Sequence, residues 1–221
     1  MARDRGARLP ESQLTAFGGP FVWLANDDPA AAWEAVVRVD PYWEHVEYQV
    51  YHYTLLTART QRLLYEGRAA EAVAEMNREW ASVDRALLLH VELVKIYMLF
   101  LRARCALANG GIQQATHDCK ALERIRAPFA AACAKQISAA LAWRAGKRES
   151  VRGLLDNAAQ QFAEAGFLFF AHSAAWRREQ LFGGGTSESE WMAAQGVRNP
   201  EAMAQVNAPG FGNYILHSLF C

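Results

Sequence analysis

Tyr65-Glu66-Gly67-Arg68-Ala69-Ala70-Glu71-Ala72 decides how the rest of this 221-residue chain is read. A helical run stops at a glycine, and a second run begins at once, with a small residue five positions beyond that glycine. Glycine tolerates the left-handed backbone that ends a helix. The small residue lets the returning helix lie close to the one just finished. The pattern returns at Asn109-Gly110-Gly111-Ile112-Gln113-Gln114-Ala115 and again at Ala145-Gly146-Lys147-Arg148-Glu149-Ser150-Val151. The three glycines are spaced roughly 35–45 residues apart, the period of helical-pair repeats. Such units stack, and the stack presents a surface to a partner. The expected fold is therefore all-α, a right-handed α-solenoid of antiparallel helix pairs.

Working outward, helices are expected over 29–39, 41–66, 69–84, 85–108, 112–126, 129–145, 147–165 and 167–182, with short ones near 188–195 and from Pro200. Asn26-Asp27-Asp28-Pro29 reads as an N-cap followed by proline in the first turn. Gly183-Gly184-Gly185 reads as a helix stop. The stretch 85–108 is apolar on nearly every face and should be the most buried helix, with Leu99 and Leu101 in the core. This divides the chain into a lead-in with one short helix (1–40), a repeat array (41–182) and a C-terminal capping segment (183–221). No segment alternates with period two between turn signals, so strands are not expected.

Composition narrows the function classes. Apolar residues are 52% and charged residues 21%, which suits a folded domain. Lys plus Arg (23) equals Asp plus Glu (23), so overall charge gives no reason to expect nucleic acid. One local bias exists across 118–152. There Lys120, Arg124, Arg126, Lys135, Arg144, Lys147, Arg148 and Arg152 outnumber Asp118, Glu123 and Glu149. On helices such a run is more often a solvated face. Cys105, Cys119, Cys133 and Cys221 form no CxxC pair, and no histidine stands at a ligand-like spacing beside them, so no metal is expected. The first three lie in apolar runs as small buried hydrophobes, which fits a reducing cytoplasm. Arg3, Arg5 and Arg8 precede an apolar stretch that Gly18-Gly19-Pro20 interrupts, and the run from Val91 to Leu101 is too short to span a bilayer. Neither export nor a membrane span is expected.

No catalytic signature emerges. Gly146-Lys147 lacks the preceding glycine and the following Ser/Thr of a phosphate loop, and Gly183-Gly184-Gly185 has no lysine behind it. Ser173 beside His172 lacks the glycines of a nucleophile elbow. His45 and His52, seven apart, would share a helix face with Tyr48, and a ligand pocket near these three is the enzyme-like alternative. A second alternative is a nucleic-acid-associated protein using the basic stretch 118–152. No cofactor is expected under the leading reading.

A resemblance covers roughly residues 33–212. Leu64-Tyr65-Glu66-Gly67-Arg68, Arg85-Ala86-Leu87-Leu88-Leu89-His90-Val91 and Leu101-Arg102-Ala103-Arg104-Cys105-Ala106-Leu107-Ala108 are joined by a tail. The tail holds Trp176-Arg177-Arg178, Leu181-Phe182-Gly183-Gly184, residues 191–201 (WMAAQGVRNPE) and Ala208-Pro209-Gly210-Phe211. Together they resemble the C-terminal tetratricopeptide-like region of large bacterial signalling proteins that join a serine/threonine kinase domain to a regulatory ATPase. Kinase and P-loop motifs are absent from this chain, so the resemblance implies a non-catalytic sensor or docking array. Its partner would be a protein or peptide, or other domains of a larger parent. On the first helices of the three pairs, Gln61, Tyr65, Tyr97, Arg104, Gln136 and Arg144 are expected to face the groove and bind that partner. Tyrosine and arginine are frequent interface anchors.

Overall fold

Five glycines end helices in the same way. Gly67, Gly110, Gly146, Gly166 and Gly196 all have positive φ, between +73° and +83°. In each case the next residue donates its N–H back across the last turn: Arg68 to Leu63, Gly111 to Ala106, Lys147 to Ala142, Phe167 to Phe162 and Val197 to Met192, at 2.7–3.0 Å. This double-bonded helix end satisfies carbonyls that would otherwise be orphaned. Ala72, Ala115 and Val151 are fully buried, as close packing of the returning helix requires. The Gly166 corner works alike, with Ala171 buried. The same signal, a glycine with a small residue five positions on, stands in the sequence there.

The structure is a computed structural model that describes residues 19–212; residues 1–18, His217 and Cys221 lie outside that range. Among the described residues there are eleven α-helices: α1 (Gly19–Ala25), α2 (Pro29–Val39), α3 (Val50–Tyr65), α4 (Ala69–Arg85), α5 (Glu92–Ala108), α6 (Ile112–Glu123), α7 (Pro128–Arg144), α8 (Arg148–Glu164), α9 (Leu168–Phe182), α10 (Ser187–Ala194) and α11 (Pro200–Asn207). No strand occurs among them, and no described helix is long and apolar enough to cross a membrane. Consecutive helices pack on one another, and α5 also touches α3 and α7. Alternate helices differ sharply in burial. α3, α5 and α7 bury most of their length, whereas α4, α6 and α8 bury a single stripe. By burial alone, the former are termed inner helices and the latter outer ones, and the side of the inner helices that meets residues 206–211 the inner face.

Caps behave as the sequence implies at two proline starts. Asp28 accepts from the Ala31 N–H at 2.9 Å, and Asn199 accepts from that of Ala202 at 3.1 Å. Three boundaries differ. The helix expected over 41–66 begins only at Val50; a 3-10 turn (Asp40–Tyr42) and a loop precede it. Trp43 stacks on Tyr51 at 4.1 Å, and the Gln49 N–H bonds His52 Nδ1 at 3.1 Å, so side chains hold the chain folded back on the start of α3. The helix expected over 85–108 is also split. α4 runs on to Arg85, Leu87 takes a left-handed φ of +59°, a 3-10 turn (Leu88–His90) follows, and α5 starts at Glu92. Burial is accordingly confined to its later part. Met98, Phe100, Leu101 and Leu107 are fully buried and Leu99 nearly so, while Leu87, Val91 and Leu93 stand in solvent. The third difference is α1, a second helix within the lead-in for which one short helix is expected. Its Leu24 is fully buried beside Met192, Val197 and Met203 of the C-terminal part.

The largest core joins α5, α6, α7, α8 and α9 around a phenylalanine cluster. Phe100 lies 5.4 Å from Phe170 and 6.0 Å from Phe162, and Phe129 stacks on Phe167 at 3.9 Å. Cys105, Cys119 and Cys133 are buried hydrophobes, and burial pushes the Cys105 thiol up to about 12.

Candidate functional site

The six residues expected to face a partner lie on inner helices α3, α5 and α7, and they face this chain itself. Gln61 is buried and donates to the Tyr97 hydroxyl at 2.6 Å. Tyr65 donates to Asp27 at 2.5 Å; desolvation first, and that carboxylate second, hold its phenol well above the ordinary range. Arg104 is fully buried and donates from Nη1 to the Val206 carbonyl at 3.1 Å. Gln136 donates to the Asn207 carbonyl at 2.6 Å. Arg144 donates to the Gly210 carbonyl at 2.8 Å and to Leu107 at 3.0 Å.

Four of the six therefore converge on one segment, or on the residue that holds it: Arg104, Gln136 and Arg144 bind residues 206–210 directly, and Tyr97 sits beside Arg104. Residues 206–211 are buried without interruption as the chain leaves α11 and crosses the inner face. A fourth donor, which the repeat register did not single out, is Arg177 of α9. Its Nε reaches the Ala208 carbonyl at 3.1 Å. Burial lowers its pKa to about 10, against the opposing pull of Glu201. The C-terminal end of α11 is the negative end of its dipole, so guanidinium groups suit it.

Next to this covered region the inner face is open. A cleft of about 750 Å³ lies between α1, α3, α5, α9, α10 and α11, walled by Phe21, Phe167, Phe169, Phe170, Trp191 and Met203, with Tyr53, Tyr97, Gln195 and Asn207 as polar groups beside Thr54 and Thr57, whose hydroxyls donate to the Tyr51 and Tyr53 carbonyls. Its lining includes no acid, base, histidine, cysteine or serine. Val22 and Leu168 stand at its rim, 60% and 52% exposed. Through Phe167 the apolar surface continues into a second hollow with Leu93, Ile96 and Phe129. Trp191 is backed by His172, which stacks on it at 3.5 Å and meets Glu188 at 2.6 Å.

The alternative residues are not drawn together as a pocket. His45 is exposed in the loop before α3, and Tyr48 stacks on His52 at 4.8 Å. His52 Nδ1 accepts the Gln49 N–H, so Nε2 carries the proton and faces the Trp43 carbonyl at 3.0 Å. Ser173 is buried, donates to the Phe169 carbonyl at 2.7 Å and accepts from Asn207 at 3.2 Å, away from His172. In the basic stretch, Arg148 lies over Trp143 and Arg152 over Phe182, while Lys120, Arg124, Arg126, Lys135 and Lys147 remain exposed. Among the described residues no three His, Cys, Asp or Glu side chains converge as a metal site would need.

No family model matches the chain, nor does a curated protein or a solved structure.

Proposed function

We propose that this chain is a non-catalytic protein-interaction and regulatory module, a right-handed solenoid-like stack of helix pairs whose inner face docks a segment of another protein. Its resemblance to the helical-repeat end of bacterial kinase–ATPase signalling proteins supports that reading and suggests other domains of such a protein as partners. The buried thiols fit a cytoplasmic setting. The observation that carries the proposal is the open cleft. It is large, aromatic and continuous with exposed apolar surface, and its lining offers hydroxyl and amide groups but no carboxylate, histidine, cysteine, lysine or arginine. Such a surface gains by burying apolar side chains of a partner, with a few hydrogen bonds to set their orientation.

Selection of binding peptides from a displayed library tests this. Enriched sequences should carry apolar or aromatic anchors, and Val22→Asp or Leu168→Asp, both at the exposed rim, should weaken them at least tenfold. Failure to enrich any sequence, or enriched peptides indifferent to both substitutions, would overturn the docking reading. The cleft's size also suits a small apolar ligand. Saturable one-to-one binding of a hydrophobic dye, with no peptide enriched, would favour that alternative. A purified chain that hydrolyses ATP in step with its sizing-column profile would contradict the non-catalytic assignment.

A further inference from the structure

The covered half of the inner face holds its occupant through the main chain. Carbonyls of Val206, Asn207, Ala208 and Gly210 accept from Arg104, Gln136, Arg177 and Arg144, on three different helices. Selectivity enters at three positions. Gly210 has φ +98°, and a Cβ there would meet Leu107 Cβ at 3.1 Å and Ala140 Cβ at 3.2 Å, so a larger residue is excluded. The Phe211 ring is buried 6.4 Å from Trp143, with the Arg177 guanidinium 5.5 Å from its centre. The Asn207 amide bonds Ser173, and its oxygen faces Arg104 Nη1 at 3.4 Å.

The fit is incomplete at one point. Arg104 is fully buried with its guanidinium over the Phe100 and Phe170 rings, yet among the described residues its Nε and Nη2 find no hydrogen-bond acceptor and no carboxylate pairs with it. The Gln136 carbonyl oxygen is likewise unpartnered. A buried guanidinium without a counter-charge is costly. An acidic residue in place of Asn207 would supply that charge through a stronger, charge-assisted bond.

We propose that the groove formed by α5, α7 and α9 is an exchangeable peptide site, and that residues 206–211 are a ligand bound in cis. Its preferred occupant is a segment of another protein that, like residues 206–211, leaves a helix end and crosses the groove, bearing an acidic residue, two intervening residues, glycine and an aromatic residue. The cis segment holds the site through its high effective concentration. A segment in trans overcomes this by satisfying Arg104. This inference concerns the covered half and stands whether or not the cleft docks a partner.

The test uses the full chain carrying Phe211→Ala, which removes the aromatic anchor of the cis segment, and a fluorescein-labelled decapeptide of sequence MAQVNAPGFG followed by anisotropy. The variant should bind this peptide at least tenfold more tightly than the unmodified protein does. The peptide carrying Asn207→Asp should bind about tenfold more tightly again, and one carrying Gly210→Val should not bind. Adding Arg144→Ala to the protein should weaken binding about tenfold, while adding Leu168→Asp, at the cleft rim, should leave it unchanged. A folded Phe211→Ala variant that binds neither peptide, or that binds the two equally, overturns the proposal. Should the variant melt below the assay temperature, its midpoint at lower temperature becomes the readout. A rise on adding the Asn207→Asp peptide supports exchange, and no rise overturns it.

Discussion

The two halves of the inner face share α5 and α9 and have opposite chemistry. Where the chain covers itself, long donors reach inward and take the carbonyls of residues 206–210. Where the face is open, phenylalanine, tyrosine and tryptophan rings form the walls. Buried main chain cannot be left without partners. The covered half therefore needs polar residues, and these help hold the fold together. The open half needs none, so it can expose apolar area that a partner would bury. The same residue types consequently have different meanings. Arg104 and Gln136, which resemble interface anchors in the sequence, bind the chain's own backbone, whereas Tyr97, between the halves, touches both.

The sharpest way to break this contrast is to compare truncations behind each half. Phe100, fully buried beneath Arg104 and against Phe170, should lose about 3–5 kcal/mol on replacement by alanine, from lost transfer energy plus a cavity. Phe169, half-buried in the cleft wall, should lose only about 1 kcal/mol, in proportion to its smaller buried area. Urea denaturation of both variants checks the ordering, and equal losses would erase the distinction.

A smaller effect should come from pH. The Cys105 thiol is raised from 9.0 to about 12 and the Tyr53 phenol from 10.0 to about 12, both first by burial. The folded groups therefore keep protons that the unfolded chain releases sooner. Their contribution is fully present below pH 9 and declines as pH rises from about 9 toward 12, by up to about 1.4 kcal/mol per pH unit for each group. Melting midpoints between pH 8 and 11 should fall, and Cys105→Ala should flatten the slope. An unchanged slope would show that the thiol is not sealed in the core.

Least of all should Leu168→Asp alter stability. Its side chain is mostly in solvent, so a change within about 0.5 kcal/mol is expected by thermal melt. A larger loss would mean that the cleft rim is part of the core rather than a surface awaiting cover.

The local signals were legible because each depends on residues close in sequence. A glycine ending a helix, a small residue five positions on and a proline behind Asp28 or Asn199 express backbone sterics and capping, and the helix corners formed where those signals stand. Two boundaries were hidden because side-chain contacts outweigh a continuous helical pattern. The Trp43–Tyr51 stack and the Gln49–His52 bonds displace the start of α3, and the left-handed turn at Leu87 divides a run with no glycine or proline to mark it. The sequence alone determined an all-helical chain, its corners and the inner helices that carry Gln61, Tyr97, Arg104, Gln136 and Arg144. Only the tertiary structure decided what those residues bind. Arg104 lies about a hundred residues from Val206, and Arg177 comes from a helix outside the three repeats. Which carbonyl a buried guanidinium meets depends on how α11 packs against α3 and α9 and directs the chain across the inner face, a long-range arrangement that no periodicity within a helix encodes.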